Sequence, residues 1–88
     1  MYYVYLLKTL NSDGKLYIGF TRDLRQRFAE HRSNKVFSTK NKGTWKLIYY
    51  EAYASIDDAQ TRERNLKYFG KAYAQLKKRL NESLKVRG

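Results

Sequence analysis

The sequence predicts an α+β domain, a three-stranded antiparallel sheet flanked by helices in the order ββαβαα. Two runs rich in tyrosine and branched residues, 2–8 and 15–20, sit either side of Asn11-Ser12-Asp13-Gly14, and a third covers 45–53. Between and after them, apolar residues recur at helical spacing around Leu24 and Phe28, Ala59 and Leu66, and Tyr73 to Leu84. Three short strands are not stable alone in water, so helices must cover at least one face.

Each element has a local cause. Aromatic and branched side chains favour the pleated surface of the first run, and Asp13-Gly14 supplies the positive φ that a hairpin turn needs. The second run contains Gly19, which weakens a strand unless a bulge or a close approach requires it. Thr21 is placed to cap the first helix, with Asp23 in its first turn and the apolar stripe running to about Arg32. Arg27 and His31 are four residues apart and share a face beside that stripe. Residues 33–44 are polar and basic and read as a long loop, of the kind that often carries function. Ser55 opens the second helix, with Asp58 three residues on, as in a capping box. Glu63 and Lys67 follow in the favourable acid-then-base order. Gly70 punctuates, and Tyr73, Leu76, Leu80 and Leu84 mark the apolar face of a third helix.

The 88 residues form a single domain, 1–88, with 42% hydrophobic residues and a core that must lean on nine Tyr, four Phe and one Trp. There is no cysteine, which excludes disulfides, thiolate metal sites and cysteine nucleophiles and leans towards a reducing, cytoplasmic setting. No secretion signal or long apolar run is visible, so no membrane partner is expected. The formal net charge of +11 is the loudest global signal. Such a field attracts polyanions, and nucleic acid is the natural partner.

The single His and the lack of Cys exclude the common zinc ligand sets, and no phosphate-binding glycine motif or serine elbow is present. What remains is Tyr5, Tyr17, Arg27, His31, Glu63 and Lys67. Phosphodiester hydrolysis needs a base, a cation for the developing charge, help for the leaving oxygen and usually a hard metal. A carboxylate such as Glu63 suits Mg²⁺, the fork of Arg27 fits phosphate oxygens, and Tyr or His can take a proton. Singly, each has an ordinary structural reading: half-buried strand tyrosines, a solvated arginine, a histidine at a helix end, a surface ion pair of little worth.

Read together, Tyr3-Val4-Tyr5, Tyr17-Ile18-Gly19-Phe20-Thr21, Asp23-Leu24, Arg27, His31, Ala59, Glu63 and Leu66-Lys67 resemble the GIY-YIG endonuclease family, in its short standalone bacterial branch related to the UvrC nuclease domain. The resemblance spans Tyr2 to about Phe69. It implies a divalent-metal-dependent endonuclease that hydrolyses DNA phosphodiesters with one Mg²⁺ or Mn²⁺, in DNA repair or recombination. Glu63 would be the metal ligand and Tyr17 would act on the nucleophilic water. Tyr5 would orient water or phosphate, Arg27 would stabilise the scissile phosphate, and His31 would assist proton transfer. Tyr3 stands where the family's first triplet has Gly. With no attached DNA-binding domain in the sequence, contacts with DNA (RNA is not excluded) fall to Arg22, Arg25, Lys40, Lys42, Lys67, Lys77, Lys78 and Arg79. Two alternatives use the same residues differently. One is a non-catalytic basic nucleic-acid-binding module. The other is an accessory subunit with an interface on exposed Tyr49, Tyr50 and Tyr53.

Overall fold

The computed structural model describes residues 1–10, 15–33 and 45–85. The expected turn at Asp13-Gly14 and nearly all of the 33–44 loop, with Lys40 and Lys42, lie outside these residues. The elements run β1 (Tyr2–Thr9), β2 (Leu16–Thr21), α1 (Leu24–Arg32), β3 (Trp45–Tyr53), α2 (Ile56–Tyr68) and α3 (Gly70–Arg79), followed by a short 3₁₀ turn at Ser83–Lys85. β1 is the central strand, with β2 and β3 antiparallel on its two sides.

Side chains alternate across a strand, so β1 feeds two cores. Val4 and Leu6 point to one face and join Ala59, Leu66, Leu76 and Leu80 of the α2–α3 layer, with Ile18 and Phe20 of β2 packed alongside. Tyr5 and Leu7 point to the other face, where Trp45, Tyr17, Leu24, Phe28 and Leu47 complete a smaller core beneath α1. The sheet is thus sandwiched, and the chemistry-bearing Tyr5 and Tyr17 belong to the smaller core.

β3 does not keep a single alternation. Leu47 pairs with Leu7, but Tyr49 pairs with Leu6, so Ile48 is an extra residue and the register shifts there. A one-residue insertion exchanges the faces of everything beyond it. Trp45 and Leu47 face α1, whereas Tyr49, Glu51 and Tyr53 face α2–α3. Tyr50, opposite Tyr5, faces α1.

The helix ends differ from the expectations in detail. Asp23, not Thr21, caps α1: its carboxylate accepts from the Gln26 N–H at 3.0 Å. Thr21 instead closes a turn, its hydroxyl oxygen accepting from the Asp23 N–H at 3.1 Å. Ser55 precedes α2 but makes no side-chain cap bond. Phe69 is extended (φ −118°, ψ 97°) and is at once the C-cap of α2 and the N-cap of α3. α3 stops at Arg79, earlier than its apolar pattern implies, yet Leu80 and Leu84 still pack on the larger core.

One polar contact joins α2 to β3. Arg62 Nε and Nη2 each lie 3.0 Å from a Glu51 carboxylate oxygen, and the Tyr49 and Tyr53 hydroxyls donate to the same carboxylate. Burial pushes the Glu51 carboxyl up, but the bonds from Arg62, Tyr49 and Tyr53 outweigh it and hold the group below its ordinary value. A depressed folded-state value stabilises the fold above the usual carboxylate range, and that contribution is lost as pH falls through the lowered value. Removing one partner of a largely buried pair is costlier than removing both. Arg62→Ala is therefore expected to lower unfolding stability by about 3 kcal/mol. Arg62→Ala combined with Glu51→Leu should recover much of that loss in denaturant melts; a double variant no more stable than Arg62→Ala would contradict this account of the contact.

Candidate active site

The smaller core opens at the β2 edge of the sheet, and four side chains meet there. Tyr5 pairs across β1 and β2 with Gly19, and Tyr17 pairs with Leu7, so the two phenols are diagonal neighbours on one face. Their ring centroids are 6.3 Å apart. α1 lowers His31 between them, 5.6 Å from the Tyr5 ring and 5.0 Å from the Tyr17 ring. Trp45 stands edge-on to Tyr17 at 6.3 Å and closes the inner wall.

Gly19 makes this arrangement possible. The Tyr5 ring lies across the space that a side chain there would occupy, and an added Cβ would overlap the ring carbon Cζ and the hydroxyl. The glycine is needed for close approach, as the sequence implies, but what approaches is the tyrosine of the neighbouring strand. Gly19→Ala is expected to cost about 1–3 kcal/mol by overpacking, and to displace the Tyr5 hydroxyl from His31. Unchanged thermal stability of that variant would show that the ring has room to move.

Tyr5 is 2% exposed and His31 is fully buried. Tyr5 Oη lies 2.8 Å from His31 Nε2. Burial raises the Tyr5 phenol well above its ordinary value, with a bond from Arg27 opposing the rise and the nearby charge of Glu63 adding to it. Burial, then the positive charge of Arg27, lowers His31 to about 4. At neutral pH the phenol is thus protonated and the imidazole neutral. The two neutral groups share one hydrogen bond, whose donor follows the imidazole tautomer. Arg27, one turn before His31 on α1, is paired with Glu30 at 3.3 Å.

Glu63 enters from the opposite layer. On α2, successive residues are about 100° apart, so Arg62 and Glu63 flank the buried Ala59–Leu66 stripe on opposite sides. Arg62 reaches β3, and Glu63 lies on the other flank, close enough for its charge to act on Tyr5. Its carboxylate is paired with Lys67 Nζ at 3.3 Å. Among the described residues no three His, Asp or Glu side chains form a metal-ligating group. A hard divalent ion keeps most of its waters and takes one or two carboxylates, so Glu63 fits such an ion as a lone protein ligand.

The basic residues fall into two groups. Arg22 and Arg25 lie at the start of α1 beside the cluster, with Arg22 over the Tyr2 ring at 5.7 Å. Lys77, Lys78 and Arg79 are on α3, in the other layer. Lys77 stacks over Tyr73 at 4.6 Å, and Arg79 borders the Glu51 contact. The three tyrosines proposed as one interface separate: Tyr49 and Tyr53 are half-buried on Glu51, and Tyr50 is exposed on the other face. Glu51 and Arg62 escaped the sequence reading because only the insertion at Ile48 brings them together.

This fold is that of a known family of catalytic domains. Residues 1–69 match the family model described as the GIY-YIG catalytic domain, and the chain belongs to the GIY-YIG family. Within it, the relatives are short bacterial proteins named UPF0213. One from Streptococcus pneumoniae serotype 4 is 41% identical over 66 residues, covering 74% of this chain and 65% of the relative. One from Clostridium perfringens is 37% identical over 68 residues, covering 76% and 71%. The chain thus spans a little under two thirds of the pneumococcal relative. The solution NMR structure of a UPF0213 protein from Bacillus halodurans superposes with a TM-score of 0.51 at 32% identity, covering 97% of this chain and 86% of that one.

A buried neutral histidine has a stability signature. The His31 value is lowered on folding, so the unfolded chain binds the extra proton first and stability falls as pH drops from about 6.5 towards about 4. The full shift corresponds to about 3 kcal/mol. His31 is the only histidine in the sequence. Denaturant melts between pH 7 and 5 should show a decline that His31→Gln abolishes; the same decline in His31→Gln would assign it elsewhere.

Proposed function

We propose that this protein is a divalent-metal-dependent endonuclease that hydrolyses DNA phosphodiester bonds. The observation that supports the reading is the convergence of Tyr5, Tyr17 and His31 from three elements, with Arg27 one turn before His31 on α1, in a GIY-YIG catalytic domain. Glu63 would hold one Mg²⁺ or Mn²⁺, which when bound supplies charge neutralisation at the phosphate and a more acidic water.

The chain's own residues divide the remaining work. Arg27, paired with Glu30, presents a cation to the scissile phosphate. Tyr5 is kept protonated by burial and is hydrogen-bonded to His31 Nε2, so neither member of that pair is free to take a proton from water. The base role then falls to Tyr17, whose ring is held by Tyr5, His31 and Trp45. Tyr5 and His31 are positioning residues in this assignment. Arg22 and Arg25 receive flanking phosphates, and α3 adds to the general positive field.

Nicking of supercoiled plasmid with Mg²⁺ or Mn²⁺ tests the reading. Glu63→Gln and Arg27→Ala should each lower the rate at least about 100-fold, and Tyr17→Phe should lower it comparably while leaving DNA binding intact. Equal nicking by wild type and Glu63→Gln would identify a contaminant. Salt-sensitive binding with no metal-stimulated nicking would favour the non-catalytic module.

A further inference from the structure

On the β3 side of α1 lies a groove of about 470 Å³ that the catalytic cluster does not use. Its apolar wall includes Tyr3, Phe28 and Tyr50, and its rim carries Arg22 and Arg25. The volume is that of a small-molecule site. Tyr50 is 53% exposed, although it lies opposite the fully packed Tyr5 in the middle of the sheet. It is held edge-to-face by Tyr3 at 5.9 Å, so its orientation is fixed while a ring face remains open. Asp23 is the one acid on the wall, and its carboxylate is already engaged in capping α1.

We propose that this groove binds one unpaired nucleotide of the substrate strand, its base stacked on Tyr50 and its phosphate held by Arg25 at the rim. The inference rests on the nuclease reading and adds the substrate class. An exposed aromatic ring beside a guanidinium group is the chemistry that recognises a nucleotide without reading its sequence. Arg22 and Asp23 line both this groove and the neighbouring cleft that contains Arg27. A strand with its scissile phosphate at Arg27 would cross that shared wall to reach Tyr50. A base within a duplex is stacked on its neighbours and cannot offer its face to Tyr50 without first leaving the helix. The site accordingly selects single strands, flaps or loops over continuous duplex.

Anisotropy titrations in EDTA, with the full chain and labelled deoxyoligonucleotides of about ten nucleotides, read binding without cleavage. Tyr50→Ala should weaken single-strand binding roughly tenfold and leave the matching duplex within about twofold, and Tyr50→Phe should retain wild-type affinity. Tyr50→Trp should show fluorescence quenching on adding oligo(dT) but not heparin, which has charge and no bases. Arg25→Ala should reduce the salt slope for single strands by about 0.7. Unchanged single-strand affinity of Tyr50→Ala, or an equal loss for both DNA forms, would overturn the proposal. Neither result depends on Glu63, so a protein that binds in this manner and does not cut would keep the groove and lose the nuclease assignment.

Discussion

The extra residue at Ile48 is the constraint on which the two faces of the sheet depend. Without it, Tyr49, Glu51 and Tyr53 would continue the row of Trp45 and Leu47 on the α1 face, with Tyr49 opposite Tyr5 and Glu51 opposite Tyr3. With it, Glu51 turns to the α2 layer and meets Arg62. Tyr50 takes its place on the α1 face. One backbone irregularity thus turns the acid of β3 away from the α1 face, anchors α2 to β3 and leaves the Tyr50 ring exposed on the α1 face. Arg62 precedes Glu63, so the contact that anchors α2 also sets the rotation of the helix about its axis and with it the direction of Glu63.

A second constraint acts at the opposite edge. Gly19 lets the Tyr5 ring lie flat across β2, so its hydroxyl reaches the sheet edge although its Cα is on the central strand. The Tyr5–His31 bond then forms in a dry environment. Burial there acts in opposite directions on the two groups, raising the phenol and lowering the imidazole. Both shifts favour the neutral forms, and a neutral pair is what a small core can bury at low cost. The geometry of the candidate site and the packing of the smaller core are therefore the same contacts. Substitutions at Tyr5 or His31 change both at once, whereas Tyr17, at the opening, separates them better.

The strand and helix order was legible because tyrosine and branched runs and helical spacing are local signals, and the boundaries of α1 and β3 follow them closely. The cap of α1 was misplaced by two residues because Thr21 and Asp23 are both competent caps and only the backbone turn between them decides. The candidate site was legible through the resemblance, not through spacing: Tyr5, Tyr17 and Glu63 are far apart in the chain, and a tyrosine-rich sequence offers many equivalent pairs. The Glu51–Arg62 contact and the position of Tyr50 were not legible. A β3 read as regular alternation puts Tyr49, Glu51 and Tyr53 with Trp45, and nothing in Leu47-Ile48-Tyr49 marks the insertion, since no glycine or proline punctuates it.

The two glutamates beside the sheet show why one is suited to a metal and the other is not. Glu51 accepts from both arms of Arg62 and from two phenols, and is only 15% exposed. A cation arriving there would have to break several short charge-assisted bonds in a largely dry site and leave Arg62 buried without a partner. Glu63 has one ion pair, to Lys67 at the next turn, with both side chains partly in solvent. Such a pair is worth at most about 1 kcal/mol, so Glu63 loses little if its partner changes, and under the proposed function Lys67 would be the counterion that a divalent ion displaces. In a chain whose net charge is +11, a free divalent cation meets a repulsive field. A bound phosphate would reverse that field locally, so on the same proposal metal and DNA are expected to bind with positive coupling, each lowering the electrostatic cost of the other.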